Sequence, residues 1–204
     1  MPAIILASAS PQRRQLLAEL GVPFDVVPAD VDETAPPGEP PREAAVVIAR
    51  RKAEAAAAVA DARAGRAVVI GADTIVIAAP ARPGGPEEVI GKPRDDAHAA
   101  EILRRLSGTR QSIVTGLFVL DASTGRTAGG WEETRVTMAE MTEREILDYV
   151  ATGEPCGKAG AYGFRPEGDP FVKDIDGSFS NVLGLPLELL RRFLRELGVR
   201  LPAA

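Results

Sequence analysis

The sequence has very little of the residue types on which disulfide, zinc and histidine chemistry depend. Its 204 residues include one cysteine, Cys156, and one histidine, His98. A single cysteine excludes an intrachain disulfide and a multi-cysteine metal site, which suits a reducing cytoplasm. Any Ser-His-Asp, Cys-His or histidine-rich zinc site would have to use His98. That residue lies in a predicted exposed helix, so we interpret it as structural.

Long apolar runs and an excess of positive charge are also missing. No stretch reaches the ~20 apolar residues of a transmembrane helix, and no basic segment precedes the short apolar run at the N-terminus. The formal net charge of −5 argues against general affinity for nucleic acid or an anionic membrane. We therefore expect a cytoplasmic protein in which a local basic cluster binds any polyanionic ligand.

Two common nucleotide-binding signatures, the Walker-type phosphate loop and G-x-G-x-x-G, are absent. Strand and helix patterns instead alternate early in the chain and pair as hairpins later, which is typical of an α/β protein with a mixed sheet. The predicted strands are 3–6, 24–29, 67–77, 89–90, 112–120, 127–138 and 171–175. The predicted helices are one that begins at Pro11 and those at 42–64, 95–106, 143–150 and 187–197. We treat 1–204 as a single domain, with any division into lobes near Gly108.

Arg13 is the first charged residue that the local pattern makes costly. The apolar run AIIL predicts a buried strand, after which Ser10 is a good N-cap and Pro11 a good first helical residue. Arg13 and Arg14 fall in the first turn, where a cation opposes the helix dipole. Either the backbone N–H groups and the arginines form an anion site, most often for phosphate, or both side chains are solvated.

Lys52 is the second such residue, because its helical spacing places it in an apolar stripe. The stripe consists of Ala45, Ile48, Lys52, Ala56 and Val59. Burial of an unpaired ammonium is expensive, so Lys52 needs an acidic partner or an anionic ligand. The alternative is that its long side chain reaches solvent.

Asp73 is the third, a lone carboxylate in the apolar run 68–77. Gly71 indicates a bulge, or close approach by a ligand or another backbone. The carboxylate is then either paired with a fixed cation or is a metal ligand or base in a cleft. Asp30, Asp32 and Glu33 either supply hard oxygen ligands suited to Mg²⁺ or form a solvated acidic loop. Together these residues indicate a phosphate-handling site with carboxylates for a metal.

Short motifs along nearly the whole chain carry a family resemblance. In order they are 6–17 (LASASPQRRQLL), 32–34 (DET), 49–53 (ARRKA), 71–74 (GADT), 91–93 (GKP), 106–108 (LSG), 153–155 (GEP), 158–163 (KAGAYG) and 177–186 (GSFSNVLGLP). This set resembles the Maf family of nucleotide pyrophosphatases. The resemblance implies a twisted mixed sheet with flanking helices, and two lobes around a central cleft, similar to inosine triphosphate pyrophosphatases.

The resemblance also implies an activity and roles for individual residues. The expected enzyme is cytoplasmic and cleaves a nucleoside triphosphate between its α- and β-phosphates, and it requires a divalent metal, Mg²⁺ or Mn²⁺. Asp73 would be the catalytic base, and Glu33 and Asp73 the metal ligands. The residues expected to bind substrate are Arg13, Lys52, Lys92 and Thr74.

Base preference is the feature on which the sequence departs from its relatives. The segment 158–163 looks like that of the dTTP/UTP-preferring branch rather than the 7-methyl-GTP branch. Gln12 stands where that branch usually has Arg, and Arg165 where it usually has Gln. We interpret these two substrate-binding positions as an exchanged pair that retains a preference for pyrimidines. The alternative is that Arg165 points outward and forms a salt bridge with the acidic loop 166–170.

Two other functions remain as alternatives. One is a pyrophosphatase of the 7-methyl-GTP type or another purine-directed enzyme, and the other is a non-catalytic nucleotide-binding regulator of growth. The regulator is disfavoured by the presence of Glu33, Lys52, Asp73 and Lys92 together, because a pure binder needs no base. We expect a nucleoside triphosphate as the partner, with neither nucleic acid nor membrane, and consider a homodimer as the assembly.

Overall fold

The computed structural model describes residues 2–60, 67–80, 85–164 and 171–202. Within these ranges the strands are β1 Ala3–Leu6, β2 Phe24–Val26, β3 Ala67–Ala78, β4 Glu88–Ile90, β5 Arg110–Asp121, β6 Thr127–Met138 and β7 Val172–Asp176. The helices are α1 Pro11–Ala18, α2 Pro41–Ala60, α3 Asp96–Leu106, α4 Glu143–Ala151, α5 Phe179–Val182 and α6 Leu187–Glu196, with a 3₁₀ turn at Ala159–Ala161.

The order and type of the longer elements agree with the sequence prediction. The strand predicted at 24–29 is shorter and ends at Val26. The end of the second predicted helix, 61–64, lies outside the described residues. Neither the 3₁₀ turn nor α5 was predicted, because a segment of three or four residues is too short to display a periodicity.

The strands form a mixed sheet in the order β2-β1-β3-β5-β6-β7, and β4 pairs with β3 outside that path. β1 is parallel to both β2 and β3. The β3–β4 and β6–β7 pairs are antiparallel. Parallel neighbours require long crossover connections, which the segments containing α1 and α2 provide. The predicted α/β class with a mixed sheet and flanking helices is therefore confirmed.

The chain divides into two compact units. The first comprises Met1–Thr74, Thr115–Glu132 and Ser180–Ala204, and the second Ile75–Val114 and Glu133–Phe179. A division near Gly108 is wrong, because Gly108 lies inside the second unit. The boundary between the units instead falls within β3, β5 and β6, after residues 74, 114 and 132. Each of these strands has 12 residues, about twice the usual length, so each is long enough to contribute to both units.

The first unit buries both faces of its part of the sheet. On one face Ile4, Leu6, Val68 and Ile70 pack with apolar residues of α1 and α6. On the other face Ile5 and Val69 pack with the alanines of α2. Alternate residues of a strand point to opposite faces, so a strand covered on both sides is a continuous apolar run. A polar residue inside such a run is therefore buried as well.

Two glycines allow α2 to lie very close to the sheet. A Cβ added to Gly71 would be 2.1 Å from the Ala49 carbonyl oxygen, and one added to Gly116 would be 2.3 Å from the carbonyl carbon of Ala45. The helix presents small residues at the contact, including Ala53. Of the alternatives for Gly71, close approach of another backbone is the one observed. This approach brings Lys52, the residue before Ala53 in α2, to the strand that carries Asp73.

In the second unit α3 packs against α4 and the 3₁₀ turn. His98 lies in the first turn of α3, where its backbone N–H donates to the Asp95 side chain at 2.7 Å and its Nδ1 accepts from the Arg94 N–H at 3.2 Å. His98 is thus part of a helix start, in agreement with a structural role. In the part of the chain that the structure describes, every helix is too short or too polar to cross a bilayer.

Candidate active site

Lys52 connects two carboxylates in the first unit. Its Nζ lies 2.7 Å from Asp73 Oδ1 and 2.8 Å from Glu33 Oε1. The side chains of Lys52 and Asp73 are 9% and 11% exposed, whereas that of Glu33 is 46% exposed. The acidic partner that the sequence requires for Lys52 is therefore present, and the alternative in which this side chain reaches solvent is wrong. The three side chains therefore comprise a buried ion pair, Lys52–Asp73, and one carboxylate, Glu33, that is open to solvent.

Arg13 is held by four neutral acceptors of the protein. Its Nε donates to the Gly184 carbonyl at 2.8 Å, and its Nη2 donates to Thr74 Oγ1 at 2.9 Å. Its Nη1 donates to the Ala72 carbonyl at 2.9 Å and to Ser8 Oγ at 3.3 Å. The alternative of a solvated Arg13 is wrong. The guanidinium instead fixes the residues on either side of Asp73.

The positive charge of Arg13 also acts on the acidic residues. Burial lowers the pKa of Arg13 below its usual range, while the negative charges of Asp73 and Glu33 oppose that shift. A guanidinium stays protonated in proteins even so. The first unit therefore places a fixed cation within electrostatic range of both carboxylates. Binding of phosphate by Arg13 stays a prediction.

Thr74 links this arrangement to β5 and α5. Its Oγ1 accepts from Arg13 and shares a 3.0 Å hydrogen bond with Thr115 Oγ1. Thr115 in turn donates to the Asn181 carbonyl at 3.1 Å. Thr115 was not predicted as a site residue, although it shows the same signal as Asp73, a polar residue in the apolar run of a central strand. Asn181 and Gly184 fall in the last of the family motifs.

We expect Arg13→Met to lower the free energy of unfolding by ~2–4 kcal/mol, because buried acceptors lose a charged donor. Urea denaturation measures the effect. Arg14 is the matched control, since it is exposed in the same turn of α1. Arg14→Met should change the free energy of unfolding by no more than ~0.5 kcal/mol. Equal losses in the two variants would contradict a structural role for the Arg13 guanidinium.

The remaining predicted residues lie outside this group. Gln12 is exposed on α1, where its Oε1 accepts from Ser10 Oγ at 3.2 Å. Lys92 is exposed after β4, in the second unit. Arg165 lies outside the described residues, so its exchange with Gln12 stays a prediction. The structure thus brings together Arg13, Glu33, Lys52, Asp73 and Thr74.

The carboxylates have the chemistry that a hard divalent cation requires. Mg²⁺ is usually bound by one or two carboxylates, with waters and substrate phosphates as its other ligands. Glu33 and Asp73 fit that donor set. Within the described ranges no three Asp, Glu, His or Cys side chains cluster as a closed cage. The residues therefore fit a metal shared with a phosphate ligand better than a structural metal.

The family model and the relatives in sequence that match this chain point to the same family. The model of the Maf-like protein family matches residues 3–197. The chain is 44% identical over 198 residues to a dTTP/UTP pyrophosphatase of Pelotomaculum thermopropionicum, covering 97% of this chain and 98% of that protein. It is 41% identical over 194 residues to a dTTP/UTP pyrophosphatase of Bdellovibrio bacteriovorus, covering 95% and 97%.

Among solved structures, a dITP/XTP pyrophosphatase from Mycobacterium abscessus aligns with a TM-score of 0.37 and 15% identity, over 68% of this chain and 75% of that one. A score this low carries no weight for the fold. The family model and the relatives in sequence do, because both extend over almost the whole chain. On these matches the chain belongs to the Maf family.

Proposed function

We propose that this protein hydrolyses nucleoside triphosphates between the α- and β-phosphates, releasing a nucleoside monophosphate and pyrophosphate. The observation that carries the proposal is the buried Lys52–Asp73 pair with Glu33 beside it. An ammonium and two carboxylates at one place are the groups needed to bind a phosphate, hold a divalent cation and accept a proton. The names of the relatives support dTTP and UTP as the favoured substrates.

In this mechanism Asp73 is the general base. Its carboxylate accepts a proton from the water that attacks the α-phosphorus. Lys52 holds Asp73 Oδ1 at 2.7 Å, which fixes the direction of the carboxylate before substrate arrives. An ammonium has three donors, and two of those of Lys52 bind Asp73 and Glu33. The third is available for a phosphate oxygen.

Charge on the leaving pyrophosphate is stabilised by fixed cations. Arg13 supplies one at an immobile position, and we assign Lys92 as a second phosphate-binding cation on the family resemblance. Glu33 and Asp73 would hold a Mg²⁺ or Mn²⁺ ion, which when bound polarises the phosphate and neutralises part of its charge. We assign Thr74, Gln12 and Arg165 to the substrate site on the same resemblance, and propose a cytoplasmic location.

The test is a panel of nucleotides incubated with the purified protein and Mg²⁺, with pyrophosphate, orthophosphate and monophosphate measured separately. We expect dTTP and UTP to give equal amounts of monophosphate and pyrophosphate, and excess chelator to stop the reaction. Dominant turnover of a purine triphosphate would favour the purine-directed alternative. Binding without turnover of any nucleotide would favour the regulator. Release of orthophosphate alone would place the cleavage at a different bond.

A further inference from the structure

We propose that Arg51 is a positioning residue for Glu33, holding that exposed carboxylate beside Lys52 and Asp73. The inference rests on the proposed function for its catalytic consequence, and on geometry for the contact itself. Arg51 Nη1 donates to the Asp32 carbonyl at 2.9 Å and to the Thr34 carbonyl at 2.8 Å. One nitrogen therefore holds the carbonyl groups of the residues immediately before and after Glu33.

Glu33 needs such support because of where it lies. It belongs to the segment between β2 and α2, which has no regular secondary structure around residue 33. Its side chain is about half exposed, so the contact with Lys52 has to offset the conformational freedom of the segment. With the carbonyl groups of Asp32 and Thr34 held, Glu33 has fewer backbone conformations available, so less conformational entropy is lost when its side chain contacts Lys52. Arg51 thus acts through the backbone.

A second contact closes the same turn. The Thr34 N–H donates to Asp32 Oδ1 at 2.8 Å, and the hydrogen bonds from Thr34 hold the pKa of Asp32 below its usual range. The turn therefore has its own internal hydrogen bond and an external anchor on α2. Because Arg51 and Lys52 are consecutive residues of α2, the same helical turn carries the anchor of the loop and the cation that Glu33 binds.

Arg50 provides a matched control within the same helical turn. Its Nε contacts Glu54 Oε1 at 2.7 Å, a pair four residues apart on the exposed surface, and its guanidinium lies 5.9 Å from the centre of the Phe118 ring. Arg50 and Arg51 have the same side chain and the same helical propensity. Of these two residues, Arg51 is the one that donates to the carbonyls of Asp32 and Thr34.

The first arm of the test does not depend on activity. A glutamate-specific endoprotease cleaves after Glu33 when the segment opens, so the initial cleavage rate at that bond reports the population of the open form. We expect Arg51→Met to raise this rate by ~10-fold, and Arg50→Met to change it by less than ~2-fold. Cleavage that is equally fast in the wild type and in Arg51→Met would overturn the anchoring of Glu33.

The second arm measures turnover of dTTP with Mg²⁺. We expect Arg51→Met to lower kcat by ~10–100-fold with little change in KM, since the substrate contacts are retained while Glu33 is misplaced. Arg51→Lys keeps a donor and should recover part of the loss. In a Glu33→Gln background, Arg51→Met should add less than ~2-fold, because both changes remove the same function.

Several results would overturn the inference. One is the same loss of kcat in Arg50→Met, and another is a full additional loss when Arg51→Met is combined with Glu33→Gln. A rise in KM alone would make Arg51 a direct substrate ligand. If the wild type released no pyrophosphate from any nucleotide, the proposed function would fail. The cleavage rate after Glu33 would still decide whether Arg51 anchors the segment.

Discussion

Replacing Asp73 with Asn is expected to lower the rate of pyrophosphate release by ~10²–10⁴-fold, the usual contribution of a general base. Asparagine keeps the shape of the side chain and an oxygen that accepts from Lys52, but it cannot take up a proton from water. The loss should therefore appear in kcat, measured with dTTP and saturating Mg²⁺. The far-ultraviolet circular dichroism of the variant should match that of the wild type.

Asp121 provides the control for this substitution. It is a buried carboxylate of the same unit, at the end of β5, and it accepts hydrogen bonds from Ser123 and Thr124 in a turn. Asp121→Asn alters another buried aspartate, away from Lys52, and should leave the turnover of folded protein within ~2-fold of the wild type, because the hydrogen bonds from Ser123 and Thr124 close a turn outside the Lys52 group. Undiminished turnover in Asp73→Asn would contradict the assignment of Asp73 as the base.

Lys52→Met has the largest effect that we expect on stability, a loss of ~3–5 kcal/mol in the free energy of unfolding at neutral pH. The ammonium is the partner that compensates the buried Asp73 carboxylate, and methionine leaves that charge without it. Glu33 contributes less to this loss, because its carboxylate is about half exposed and is screened by water. Urea denaturation followed by fluorescence or circular dichroism measures the change.

The double variant Lys52→Met with Asp73→Asn separates charge burial from simple loss of packing. Once residue 73 is a neutral asparagine, removal of the lysine no longer leaves a buried carboxylate without its partner. The double variant should therefore be more stable than Lys52→Met alone, with a coupling energy of ~1–3 kcal/mol. Purely additive losses would mean that the 2.7 Å contact between Nζ and Oδ1 has little energetic weight.

The central residues of the candidate site could be predicted because each conflicts with its local pattern. Arg13 lies at the unfavourable end of a helix, Lys52 in an apolar stripe, and Asp73 in an apolar strand. A conflict of this kind is visible within about ten residues of sequence. In the structure each of the three charged groups is compensated by contacts with neighbouring residues, so the unfavourable local position of each was a correct indication of a specific partner.

Arg51 and Gly184 were missed for the opposite reason. Arg51 looks like any solvated residue of a charged helix, and its acceptors are backbone carbonyls, which every residue possesses. Gly184 likewise contributes only a carbonyl oxygen, to Arg13. Contacts of this type leave no trace in residue type or spacing. The order of strands in the sheet escaped prediction too, because periodicity identifies strands but not their neighbours.

The hydrogen bond from Arg13 to Gly184 joins residues 171 positions apart, and this separation has a consequence during synthesis. A ribosome adds ~5–20 residues per second, so roughly 10–30 s pass between the two residues. Through that interval the N-terminal segment has neither this acceptor nor α6, which covers one face of the first unit. The nascent chain therefore carries Lys52 and Asp73 long before their surroundings are complete, and the site can assemble only after Gly184 and α6 have been synthesised.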